Sequence, residues 1–153
     1  MSIWRSIVAV MAFLLLTLNG AEAQPKKLTY LDVKALTQKA ADLLASQGLE
    51  AAEKAFLQDG EFKFAEIYIN VIDLQGNWVI YPPKPENKGR SILSFTDEDG
   101  VHLGEDILRV GKSGQGWTEY RWRNPSTGNV QPKLTFVIRV PNQDYIVYAG
   151  LYK

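Results

Sequence analysis

The sequence predicts an α+β domain: a five-stranded antiparallel sheet with a long N-terminal helix and short connecting helices. Three observations carry this prediction. Apolar residues recur at helical spacing between residues 29 and 58, and the period shortens to that of strands after Phe64. The later β segments then fall into two hairpin regions separated by a loop and a short helical pattern. The element order, α-α-β-β-α-β-β-β, lacks the crossovers that would build a parallel sheet.

The chain opens with Met1-Ser2-Ile3-Trp4-Arg5, then an apolar stretch from Ile7 to Leu16 that ends near Leu18. Arg5 supplies a positive flank, and about a dozen apolar residues is the length of a signal-peptide core. A helix crossing a bilayer needs about 20. Asn19-Gly20 breaks the helix, and Ala21-Glu22-Ala23 is a small-x-small cleavage pattern. Residues 1–23 therefore read as a signal peptide, and 24–153 as a single domain. The alternative is an uncleaved N-terminal anchor, against which the short span and the well-formed cleavage pattern argue. No later apolar stretch approaches spanning length.

Thr29 reads as a helix N-cap, with Asp32 three residues on as its reciprocal partner. Val33, Leu36, Ala40, Leu43 and Leu44 follow at helical spacing, and Gly48 is expected to stop that helix. Leu49 to Gln58 carries a second helical pattern, ended by Asp59-Gly60. Ile67 to Ile72 is rich in β-branched residues, Asp73-Leu74-Gln75-Gly76 is a turn, and Trp78 to Tyr81 returns as a strand closed by Pro82-Pro83. Residues 84–100 read mostly as loop. Leu103, Ile107, Leu108 and Val110 predict a short amphipathic helix ending at Gly111. Trp117 to Trp122, Leu134 to Val140 and Tyr145 to Tyr152 are the remaining strands, joined by turns at 124–128 and 141–144.

Composition narrows the function classes. The chain has 17 basic and 17 acidic residues, and the leader removes one of each, so the domain stays neutral. A neutral domain has no global field to hold DNA, RNA or an anionic membrane, so nucleic acid is excluded as a partner. The absence of cysteine excludes disulfides, thiolate metal sites and a cysteine nucleophile. For an exported protein it favours a bacterial periplasm. One histidine cannot make a histidine zinc cluster, and no cofactor is expected. Gly111-Lys112-Ser113 lacks the first glycine of a phosphate loop and follows a helix instead of preceding one. Asp97, Glu98 and Asp99 are too tightly spaced for an EF-hand and read as a turn. The serines and carboxylates show no catalytic partner arrangement, so the domain is not expected to be an enzyme.

From Tyr68 onward, several short motifs stand in a characteristic order. They are Ile72-Asp73-Leu74-Gln75-Gly76, Tyr81-Pro82, Asn87-Lys88-Gly89-Arg90 and Asp97-Glu98-Asp99-Gly100. After them come Gly116-Trp117-Thr118-Glu119-Tyr120-Arg121-Trp122 with Asn124-Pro125, Pro132-Lys133-Leu134-Thr135-Phe136, and Ala149-Gly150-Leu151-Tyr152. In this series the chain resembles the single Cache domain family, type 2, whose members are PAS-like extracytoplasmic sensor modules. The resemblance implies a PAS-like sheet and a ligand held between the sheet and the long connecting segment. Most such modules sit between two membrane spans of a chemoreceptor or kinase. This sequence ends at Lys153 with neither a second span nor an output domain, which points to a free-standing periplasmic or secreted module.

Strand alternation puts Thr118, Tyr120 and Trp122 on one face and Trp117, Glu119 and Arg121 on the other. In the partner strand Lys133, Thr135, Val137 and Arg139 alternate with an apolar set, Leu134, Phe136, Ile138 and Val140, expected to face the core. A cation with hydroxyl donors and aromatic walls is what a small carboxylate needs. A hydrogen bond to a charged group contributes about 1.5–3 kcal/mol, whereas micromolar affinity needs about 8 kcal/mol, so aromatic burial must supply much of the rest. By resemblance, the candidate ligand residues are Tyr81, Tyr120, Trp122 and Lys133, followed by Arg90, His102 and Tyr148. The aromatics could equally be core residues with a wet polar tip. Lys133 and Arg90 could be surface charges, and His102 a capping residue. The expected ligand is a small organic acid, with a membrane sensor or transporter as candidate partner. The long N-terminal helix is a candidate homodimer face. The competing reading is a structural or protein-interaction domain that has lost its pocket.

Overall fold

The computed structural model describes residues 27–153. The expected signal peptide, residues 1–23, and its cleavage site lie outside the described residues. Helix α1 spans Tyr30–Leu57. It starts where the capping signal stands: Asp32 N–H donates to Thr29 Oγ1 at 3.2 Å, and Thr29 N–H donates to the Asp32 carboxylate at 2.8 Å. Gly48 breaks the helical geometry with φ +82° and ψ 176°, and a second helical segment resumes at once. The predicted stop is thus a kink between two helical runs. A left-handed φ of this kind suits glycine.

Five strands form the main sheet: β3 (Asn70–Asp73), β4 (Trp78–Ile80), β5 (Gln115–Arg123), β6 (Val130–Arg139) and β7 (Tyr145–Tyr152). Their spatial order is β4-β3-β7-β6-β5, all antiparallel. The last strand in sequence therefore lies in the middle. The predicted strand 67–72 is divided. Ile67–Tyr68 (β2) pairs with Lys63–Phe64 (β1) in a separate two-stranded ribbon, and only Asn70 onward joins the main sheet. Helix α2 spans Leu103–Lys112, one residue beyond the expected end.

The sheet is covered on both faces. Helix α1 packs on one, with Val33, Ala40, Ala41, Leu44, Ala52 and Phe56 against Ile69, Val71, Phe136, Ile138, Val147 and Ala149. Three alanines in that stripe let the helix approach closely. The opposite face carries Tyr68, Ile72, Trp78, Tyr120, Val137, Ile146 and Tyr148, covered by α2 and the segment that leads to it. Both faces of β6 are accordingly buried. Lys133 and Thr135, read from sequence as a mixed polar face, lie in the interior.

Close backbone approach seats the cover. At Gly104, in the first turn of α2, an added Cβ would lie 1.9 Å from the Ile92 carbonyl oxygen. Asp97 ties the same segment to β5: its carboxylate accepts from Arg121 N–H at 2.8 Å, Val101 N–H at 2.8 Å and Asp99 N–H at 3.0 Å. Burial opposes ionisation of Asp97, but these backbone donors and the Arg121 charge together hold its pKa below the usual value.

Gly104→Ala tests this seating. In an open helix the change would stabilise by up to about 1 kcal/mol. Here it should destabilise by about 2–3 kcal/mol, because the obstacle is backbone and cannot rotate away. Urea denaturation of the two proteins measures the sign.

Candidate functional site

Antiparallel register sets three rows of residues on the covered face. Tyr120, Lys133 and Tyr152 stand opposite one another, Thr118, Thr135 and Gly150 form the next row, and Gly116, Val137, Tyr148 and Asn70 the third. Gly150 is required where it stands. A Cβ there would lie 2.4 Å from Thr135 Oγ1 and 2.7 Å from Lys133 Cε.

Lys133 is the unusual residue of the site. It is only 1% exposed. Its ammonium donates to Tyr68 Oη at 2.9 Å and reaches Tyr152 Oη at 3.5 Å. It also lies 4.0 Å and 4.6 Å from the centroids of those two rings. Among the described residues no carboxylate forms an ion pair with it. Desolvation pulls its pKa from 10.5 down to about 7, while the charge of Glu66 pulls the other way. Two phenols and two ring faces are weaker partners than an anion, so a cation is held here at a cost.

The surrounding tyrosines keep their protons. Burial raises Tyr68, Tyr81, Tyr120 and Tyr148 above the usual phenol value, and pushes Tyr152 up to about 12. Trp78 Nε1–H donates to Tyr148 Oη at 2.8 Å, and Thr135 Oγ1 donates to Tyr120 Oη at 3.0 Å. Tyr152 Oη donates to the Arg123 carbonyl at 2.9 Å. The Tyr148 oxygen accepts from an indole that can only donate, which leaves its own O–H available as a donor.

Two cavities adjoin. The inner one, about 10 Å³, lies among Asn70, Tyr81, Tyr120, Trp122 and Tyr148. The outer one is a cleft of about 510 Å³ with walls of Tyr68, Trp78, Tyr81, Phe95 and Trp122. Tyr68, Trp78, Tyr81 and Trp122 border both, so these rings divide the inner space from the cleft. Tyr81 stacks on Trp78 with centroids 4.2 Å apart.

Of the seven sequence candidates, Tyr81, Trp122, Tyr120 and Tyr148 are brought together around the inner cavity. Lys133 stands behind Tyr68 instead of forming a cavity wall. Arg90 lies on the cleft with its guanidinium 5.3 Å from the Phe95 ring centroid. His102 is not brought to the site. It is the exposed N-cap of α2, because Leu103, Ile107 and Val110 set the buried face of that helix. Sequence reading missed Tyr68, Asn70, Trp78 and Tyr152. Alternation in the stretch 67–72 would have placed Tyr68, Asn70 and Ile72 on one face.

The depressed Lys133 pKa has a consequence for stability. Between about pH 7 and 10.5 the unfolded chain binds one more proton at this position than the folded one. The penalty is therefore full below pH 7 and fades as pH rises. Stability should increase from pH 7 to about 10, by up to about 1.4 kcal/mol per pH unit from this residue. Above the ordinary phenol value the buried tyrosines reverse the trend. Lys133→Met should lose the rise while keeping the fall, which chemical denaturation across this pH range would show.

With this geometry in hand, the chain can be set beside known proteins. The model of the family described as Single Cache domain 2 matches residues 21–153. Over 85 residues the chain is 33% identical to the sensor histidine kinase MctS of Rhizobium johnstonii, a match covering 56% of this chain and 18% of that one. The chain thus spans less than a fifth of that relative's length. In fold it is similar to a methyl-accepting chemotaxis protein from Vibrio parahaemolyticus, with TM-score 0.69, 19% identity, and 80% and 86% of the two chains covered. It is equally similar to a Cache chemosensory domain described in terms of carboxylic acid recognition, with TM-score 0.69, 24% identity, and 80% and 91% covered. Among the described residues, no helix is long and apolar enough to cross a membrane. A five-stranded sheet with one helical and one connecting-segment face, matched by a family model across almost the whole sequence, places this chain in the Single Cache domain 2 family of extracytoplasmic ligand-binding sensor domains.

Proposed function

We propose that this domain senses a short organic acid outside the cytoplasm and acts with a membrane sensor or transporter. The observation that carries the reading is Lys133: a buried cation with phenols and ring faces for company and no ion-paired carboxylate among the described residues. An incoming carboxylate would supply the missing countercharge once the Tyr68 ring, which stands between Lys133 and the cavity, yields to it. The phenol O–H groups of Tyr148 and Tyr81 would orient it, and the aromatic walls would exclude water. The chemosensory relative described in terms of carboxylic acid recognition supports the same ligand class.

The inner cavity, about 10 Å³, holds no more than one water. Binding of even a two-carbon acid therefore requires the dividing rings to yield. Trp122 is the half-buried member of that wall and the one with room to move. The same small volume favours the second reading, a domain whose pocket has closed and whose role is protein interaction. That reading expects no melting shift with any small acid and a protein partner instead.

Calorimetry with a panel of two- to four-carbon acids tests the sensing role. Lys133→Met should weaken binding of any hit by about tenfold or more, since a hydrogen bond to a charged group is lost. Binding an anion also favours protonated Lys133, so affinity should be flat below pH 7 and fall about tenfold per pH unit well above it. Proton uptake on binding, read from titrations in buffers of different ionisation enthalpy, should accompany this. Affinity indifferent to both Lys133 and pH would remove the lysine from the site.

A further inference from the structure

We infer that the preferred acid carries a hydrogen-bond donor on the carbon next to its carboxylate, as 2-hydroxy and 2-amino acids do, and that Asn70 is the residue that reads it. This rests on the sensing role proposed above and deepens it.

Asn70 begins β3 and is 2% exposed. Its side chain borders the inner cavity. Asn70 Nδ2 donates to the Tyr148 carbonyl at 3.4 Å. That contact fixes the amide's orientation, because turning it over would set two oxygens against each other. Oδ1 is then left as the buried side-chain polar atom with no hydrogen-bond partner among the described residues. A buried acceptor without a partner is costly, and native structures retain few of them.

The neighbouring groups sharpen the meaning of this orphan. The other polar groups around the inner space are donors. Tyr148 already accepts from Trp78, Tyr120 accepts from Thr135, and Tyr68 accepts from Lys133. Their phenol protons suit the oxygens of a carboxylate. Asn70 Oδ1 cannot meet a carboxylate oxygen, since both are acceptors. A plain alkanoate would satisfy the donors and leave Oδ1 dry against a methyl or methylene group. A hydroxyl or ammonium beside the carboxylate satisfies both sides at once. Sites that hydrogen-bond a polar group of their ligand reject the analogue lacking it far more strongly than apolar pockets distinguish methylenes.

Three probes of equal heavy-atom count isolate this effect: glycolate, glycine and propanoate, which present a hydroxyl, an ammonium and a methyl group on the same carbon. Calorimetry at pH 6.5 should show glycolate or glycine binding at least about tenfold more tightly than propanoate. Whichever of the two is tighter identifies the donor. Asn70→Leu should reduce that preference to less than about twofold while leaving propanoate affinity within a few-fold of wild type. Equal or tighter binding of propanoate by the wild-type protein would overturn the inference, whether or not the variant folds; it would mean that a retained water satisfies Asn70. A preference for glycolate or glycine that survives Asn70→Leu, in binding that still depends on Lys133, would overturn this inference and leave the sensing role standing. Binding of none of the three would remove both.

Discussion

A sheet with two apolar faces must be covered twice. Most of the architecture follows from that constraint. Helix α1 covers one face through a stripe of small and branched side chains, a mainly apolar contact in which the buried Thr37 bonds back to the Val33 carbonyl. The other face cannot be closed so simply. Its cover is an irregular segment with a short helix, tied down at Gly104 and Asp97. Irregular cover over a face rich in tyrosine and tryptophan leaves spaces, and those spaces are the inner cavity and the cleft.

Double coverage also explains the electrostatics. Because β6 is buried on both faces, a lysine in it has no route to solvent except along the sheet. Lys133 takes that route only as far as Tyr68 and Tyr152. Desolvation is the largest influence on its pKa and on those of Tyr68, Tyr81, Tyr120, Tyr148 and Tyr152. It acts in opposite directions on the two kinds of group, keeping phenols protonated and pressing the ammonium to lose its proton. The result at neutral pH is a site of neutral donors around a cation near its titration point. A protein gains nothing in stability from such an arrangement, since replacing a buried charge by an apolar residue of similar size is often neutral or favourable.

Glu66, only half-buried, is the acid whose field reaches Lys133, and Asn124 Nδ2 donates to it at 3.3 Å. Arg123, next to Asn124 at the end of β5, accepts a hydrogen bond from Tyr152 Oη at its carbonyl. The end of β5 and the turn after it thus contact Tyr152 and Glu66, the one within 3.5 Å of the Lys133 ammonium and the other acting on it by charge. The stretch around Asp97 to Glu98 reaches the same strand through Arg121.

Local patterns in the sequence determined the elements. Thr29 and Asp32 marked the helix start, period-two runs marked the strands, and the series of turns carried the family. The family resemblance offered Tyr81, Tyr120, Trp122 and Tyr148 as candidates, and alternation along the hairpin put Tyr120 and Trp122 on one face. What pairing does across the sheet was not legible. The position of β7 between β3 and β6 and the split of residues 67–72 depend on contacts between residues far apart in the chain. Of the two sequence readings of His102, ligand candidate and capping residue, the structure places it at the exposed N-cap of α2, away from both cavities. Only the tertiary structure decided that Lys133 is buried without a counter-ion and that Asn70 presents an unpaired oxygen. Desolvation is a property of everything around a group, and no local run of sequence contains it.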